Sequence, residues 1–156
     1  MRVALFMATD PMAWMIRLQT RSPYSHAALV YDDWTIVEAT TKPFPRGAVA
    51  LSKSIREKHP RGIEVDIFSV TERYSASTAV RWLESQIGKR YDYRSVLRFV
   101  SRRPADENDA YFCSELVFRY FEEGGLRLLR GIEAHDVSPR DLSLSPYLYY
   151  QDTVRT

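Results

Sequence analysis

The apolar positions along the chain change period several times, and each change marks an element. Residues 2–7 form a short apolar run after Arg2, the pattern of a buried strand. Asp10-Pro11 supplies an N-cap with proline in the first helical turn, which predicts a short helix through Ile16, ended by Arg21-Ser22-Pro23. Residues 25–31 and 34–39 predict a β-hairpin around Asp32-Asp33, and 48–52 and 62–69 predict further strands, with Pro43 and Pro45 in the connection between. From Ser75 to Ile87 the period becomes helical, with Ala79, Val80, Leu83 and Ile87 on one face and Gly88 placed to end the helix.

A shorter helix is expected over residues 93–100, then a polar loop from Arg102 to Asp109 containing Pro104. The next helix starts at Cys113 and runs to Gly124-Gly125, with Phe112, Leu116, Val117, Tyr120 and Phe121 facing the core. Residues 137–142 are turn-rich, and Tyr147 to Tyr150 predict a last edge strand. No internal repeat or low-complexity tract interrupts the series.

Length and charge narrow the class. A chain of 156 residues buries one core and is too short for two comfortable domains, so a single domain over residues 1–156 is expected. A net charge of +2 makes no case for a nucleic-acid partner. Asp10 and Pro11 cut the first apolar run short of a signal-peptide core, and no later segment is long enough to span a bilayer, so the expectation is a soluble, cytoplasmic protein. The one cysteine excludes an intramolecular disulfide framework.

That cysteine, Cys113, sits where the polar loop gives way to a helical pattern. Unpaired amides and the positive end of the dipole at a helix start stabilise a thiolate and offer donors to an oxyanion, although a lone cysteine before an apolar helix is more often a core residue. His26 and Glu38, on the neighbouring hairpin strands, add a base and a carboxylate. A three-residue loop at Tyr31-Asp32-Asp33 sets His26 directly opposite Glu38, on one face with Ala28, Val30, Trp34 and Ile36. A two-residue loop pairs Ala27 with Glu38 and turns the carboxylate to the other face. The catalytic reading therefore needs the longer loop or a bulge.

His59, in Lys58-His59-Pro60-Arg61, and His135, in Ala134-His135-Asp136, read as surface residues. A zinc site drawn from His26, His59, His135 and Cys113 lacks the usual close ligand spacing, so no metal and no cofactor is expected. There is no phosphate-binding glycine loop and no dinucleotide fingerprint. Arg90, Arg94, Arg98 and Arg102 recur every four residues and on a helix would form one basic stripe. Such a stripe is a solvated face or, on the sharper reading, a rim that attracts an anionic substrate.

These blocks, in their order, resemble the circularly permuted branch of the NlpC-type, papain-like cysteine hydrolases, the YiiX-like proteins. The resemblance, which extends over most of the chain, rests on Ser25-His26, Val37-Glu38-Ala39, Gly88-Lys89-Arg90-Tyr91-Asp92, Cys113-Ser114-Glu115-Leu116-Val117 and Ser138-Pro139-Arg140-Asp141-Leu142. It implies an α+β papain-like fold with an antiparallel sheet packed against the cysteine helix. It also implies Cys113 as nucleophile, His26 as base and then acid, Glu38 as the group that orients the imidazole, and Tyr91 beside the oxyanion. The implied activity is hydrolysis of an amide through an acyl-enzyme, cell-wall peptides being the substrate class of relatives. An acyl lipid is the alternative substrate, and a binding module that keeps the fold without turnover is a third reading. Lipid acyltransferases of the lecithin–retinol type share the permuted order, but this chain has Phe112-Cys113-Ser114-Glu115 in place of their Asn-Cys-Glu-His block.

Overall fold

A computed structural model describes residues 1–32, 35–41, 47–52, 55, 59–92 and 110–156. The described elements are β1 (Arg2–Phe6), α1 (Pro11–Thr20), β2 (His26–Val30), β3 (Ile36–Thr40), β4 (Ala48–Ser52), β5 (Glu64–Val70), α2 (Ala76–Gln86), β6 (Arg90–Tyr91), β7 (Ala110–Tyr111), α3 (Cys113–Glu123), a 3-10 turn (Ala134–Asp136), α4 (Pro139–Ser143) and β8 (Leu148–Arg155). The strands form one sheet in the order β7-β6-β4-β3-β2-β1-β5-β8. All pairs are antiparallel except β6 with β7, which run parallel, so the expected antiparallel sheet is mixed at one edge.

β1 is apolar on both faces because both are covered. Val3 and Leu5 join Ala27, Leu29, Val37 and Ala39 in the larger core, where Leu116, Val117, Tyr120 and Phe121 of α3 pack. Ala4 and Phe6 join Ala28, Val30, Ile36, Val65 and Ile67 in a smaller core on the opposite face. Side chains alternate between faces along a strand, so His26 and Glu38 share the parity of this second set.

Several boundaries follow local chemistry. Asp10 caps α1, its carboxylate accepting from the amides of Met12 and Ala13, with Pro11 in the first turn. The helix runs to Thr20, past the expected end at Ile16, and stops only where Arg21 adopts a left-handed conformation at φ 50°. Residues 137–142, expected as turns, carry a capping box: Ser138 and Asp141 satisfy each other's backbone amides and start α4. β6 and β7, two residues each, lie below the length at which periodicity speaks. β8 runs well past the expected Tyr147–Tyr150 because it pairs along the whole of β5, with a register shift between Ile67 and Phe68.

Of the arginine stripe only Arg90 falls among the described residues. Arg90 lies in strand β6, where side chains alternate every two residues, while Arg94, Arg98 and Arg102, with the helix expected over 93–100, lie outside the described residues.

Candidate active site

Three short anchors position His26. Ser25, buried just before it, donates from its amide to the Phe6 carbonyl and accepts from the Ala8 amide at 3.1 Å. His26 then opens β2 directly across from Phe6 of β1, whose ring lies 5.2 Å from the imidazole between centroids. The hairpin registers Leu29 with Val37 and Val30 with Ile36. Continued along the strands, that register sets Ala28 across from Glu38. His26 is therefore the diagonal neighbour of Glu38, on the same face, rather than its direct partner. The Tyr31 amide donates to the Thr35 carbonyl at 2.8 Å, so the ladder takes in Tyr31, which a three-residue loop at Tyr31-Asp32-Asp33 would leave out.

The diagonal is within reach of two extended side chains. His26 Nε2 lies 2.5 Å from Glu38 Oε2, and the carboxylate is completely buried. Burial alone would push Glu38 up, but the hydrogen bonds and charges of His26 and His59 hold it well below the usual carboxylate range. Burial likewise opposes charge on His26, yet Cys113, and after it Glu38, outweigh burial and raise the imidazole to about 10. Nε2 is committed to the carboxylate, which leaves Nδ1 for the thiol.

Cys113 is, after burial, the group that acts most strongly on this ring. It belongs to the larger core, at the start of α3, and only 1 % of it is exposed. The parallel pairing of β6 with β7 sets Tyr91 beside Tyr111, two residues ahead of the cysteine, and the Asp92 amide donates to the Tyr111 carbonyl. Tyr111 in turn donates to the buried Gln86 of α2 at 2.8 Å. Beyond the cysteine, the buried Ser114 hydroxyl donates to the Val137 carbonyl at 2.5 Å, which ties the helix start to the capped turn at Ser138. No side chain caps α3, so the first-turn amides are those that a helix leaves without intrahelical partners.

Tyr91 is buried, with its ring 6.1 Å from that of Phe112. It lines an open cleft together with His26, His59 and the α1 residues Met12 and Ile16. The structure thus brings His26 and Glu38 into contact, couples Cys113 to His26 and sets Tyr91 at the cleft. Arg90 is exposed in β6 and does not line the cleft.

His59 is the residue that sequence reasoning misplaced. It is no surface histidine: its side chain is 13 % exposed, its ring stacks on Phe6 at 4.2 Å, and its Nε2 lies 3.2 Å from the same Glu38 oxygen that His26 contacts. A polar loop without periodicity carried no signal of this, although Phe6, one strand away, turns out to bear on both histidines. His135 is partly exposed beside Asp136 and takes no part in the site. Among the described residues, His26, Glu38 and His59 each offer one ligand atom, and these atoms lie within 4.8 Å of one another, a grouping that the spacing of these residues along the chain does not reveal.

Comparison with known proteins returns the fold alone. No protein-family model matches the chain, and neither does any curated protein. The architecture is a mixed α/β one, helices against an eight-stranded sheet. The crystal structure of the metalloprotein YiiX from Escherichia coli O157:H7 is similar, with a TM-score of 0.68 over 97% of this chain and 94% of that one, at 16% sequence identity. No described helix is long and apolar enough to cross a membrane.

Proposed function

We propose that the chain is a papain-like cysteine hydrolase that cleaves an amide by acyl transfer to Cys113. The observation that carries this reading is His26 held between two partners, Glu38 on Nε2 and the thiol of Cys113. With Glu38 ionised and buried, the imidazole is favoured in its charged form, and His26 takes up the proton of the Cys113 thiol as the sulfur attacks the carbonyl carbon. The oxyanion is held by the first-turn amide of Cys113, with the Tyr91 hydroxyl beside it. His26 then gives its Nδ1 proton to the leaving amine. With that lone pair restored, Nδ1 takes a proton from water, whose oxygen attacks the thioester, and returns it to the sulfur. Because Cys113 is buried, the carbonyl enters from the cleft past His26 and Tyr91.

The substrate class that fits is a peptide or other amide, with an acyl lipid as the alternative for the same chemistry. A second reading, in which the site works through a metal, is favoured by the clustering of His26, Glu38 and His59 and by the description of YiiX as a metalloprotein.

The test is iodoacetamide labelling of Cys113 near pH 6, with intact-mass detection of an acyl adduct after incubation with an activated ester. Labelling much faster than that of a free thiol of pKa about 8.5, slowed sharply in His26→Ala, and an adduct lost in Cys113→Ser are expected. Labelling at the ordinary rate in both wild type and variant would make Cys113 a core residue.

A further inference from the structure

We propose that His26, Glu38 and His59 bind one divalent transition-metal ion, and that an ion held there stops the Cys113 chemistry by occupying Nε2 of His26. The binding half stands alone; the inhibitory half rests on the cysteine reading above.

A hydrogen-bonded triad accounts for one histidine on Glu38. Here two converge on the same oxygen, at 2.5 and 3.2 Å, while the second oxygen, Oε1, is buried without a hydrogen-bond partner among the described residues. An unpaired buried carboxylate oxygen is costly. Two neutral imidazoles and one carboxylate are a standard donor set for zinc, with a fourth position left to solvent. A tetrahedral ion with bonds of about 2.0–2.1 Å holds its ligand atoms about 3.3 Å apart. The His59–Glu38 separation already has that value, the His26–Glu38 contact must open, and 4.8 Å bounds the widest pair. His59 is held for the task by its stack on Phe6, and both histidines line the cleft through which an ion and its water would enter.

The two states of His26 exclude each other. Binding expels the proton shared between Nε2 and Glu38, and the Nε2 lone pair goes to the metal. The ring keeps one proton, on Nδ1, and so has no lone pair there to take a proton from the thiol or from water. Hydrolysis of the acyl-enzyme then has no base.

The test uses the full chain stripped with chelator and titrated with zinc. Calorimetry is expected to give one zinc per chain, and X-ray absorption a shell of nitrogen and oxygen with no sulfur at about 2.3 Å. His59→Ala should weaken binding by about 10–100-fold or more, since even groups that merely support a metal ligand are worth that much. Cys113→Ser and His135→Ala should bind as wild type. Turnover of an activated ester should fall by about tenfold or more at one equivalent and return with chelator.

A sulfur in the shell, no stoichiometric zinc, or unchanged affinity in His59→Ala overturns the site, and the absorption result holds even if a variant misfolds. Zinc bound through these ligands with turnover unchanged overturns the inhibitory half. Stoichiometric zinc on a chain with no turnover in any form removes the acyl-transfer reading together with the inhibitory half, and supports the metal site.

Discussion

His26 and Glu38 meet diagonally across the β2–β3 hairpin, Nε2 to Oε2 at 2.5 Å, with His26 two residues along β2 from the position opposite Glu38. The offset lets the imidazole lie along the sheet face toward a fully buried carboxylate, whose charge water does not screen at its own end of the bond, which strengthens the orienting force on the ring.

Replacing Glu38 should therefore cost more than a surface ion pair would. Glu38→Ala is expected to lower kcat by about 10²–10⁴-fold. Glu38→Gln keeps an acceptor for one histidine and should retain more activity. In both variants the basic limb of the pH–rate profile should move down toward the ordinary imidazole range, because the charge that supports His26 is gone. Steady-state kinetics across pH checks this, and wild-type profiles in both variants would take Glu38 out of the site.

Stability should report the same pair. His26 is raised from 6.5 to about 10, so its contribution is full below 6.5, declines as pH rises and is gone above about 10. Glu38 is depressed from 4.5, so its contribution is full above 4.5 and is lost as pH falls. The difference in Tm between chelator-treated wild type and Glu38→Gln should be largest between about pH 4.5 and 6.5 and shrink on either side. A difference that is flat with pH would mean the pair makes no ionic contribution.

Tyr91 separates catalysis from packing. If its hydroxyl supports the oxyanion, Tyr91→Phe should lower kcat by about 10²-fold with KM little changed. The ring stays against Phe112 in that variant, so the fold should keep its Tm. Unchanged kcat would leave Tyr91 as a packing residue.

Ser114 tests the anchoring of the cysteine helix. Its hydroxyl is buried and donates to the Val137 carbonyl, so Ser114→Ala leaves that acceptor unsatisfied and should cost about 1–3 kcal/mol in denaturant unfolding. Loss of activity should be smaller than for His26 or Glu38 variants. An unchanged unfolding midpoint would show that water replaces the bond.

By itself the sequence determined what is local. The apolar runs 26–30 and 36–40 place His26 and Glu38 on neighbouring strands, while the choice between a shared face and opposite faces stayed open between the two loop lengths. The helical period after Cys113 settles which side of α3 is buried, and Asp10 and Gly88 mark their helix ends through capping chemistry and through a backbone at φ +90° that only glycine takes easily. What depends on loop length or on distant contacts was left to the tertiary structure. The hairpin register turns on where the turn closes, which the residues Asp32-Asp33 do not specify, and it decides between direct opposition and the diagonal. β6 and β7 exist only as partners for each other and for β4, and their pairing carries Tyr91 across a long interval to the cysteine. His59 comes from a loop with no period at all. Its place beside Glu38 is decided by Phe6, a strand away, whose ring supplies the apolar surface on which that imidazole settles.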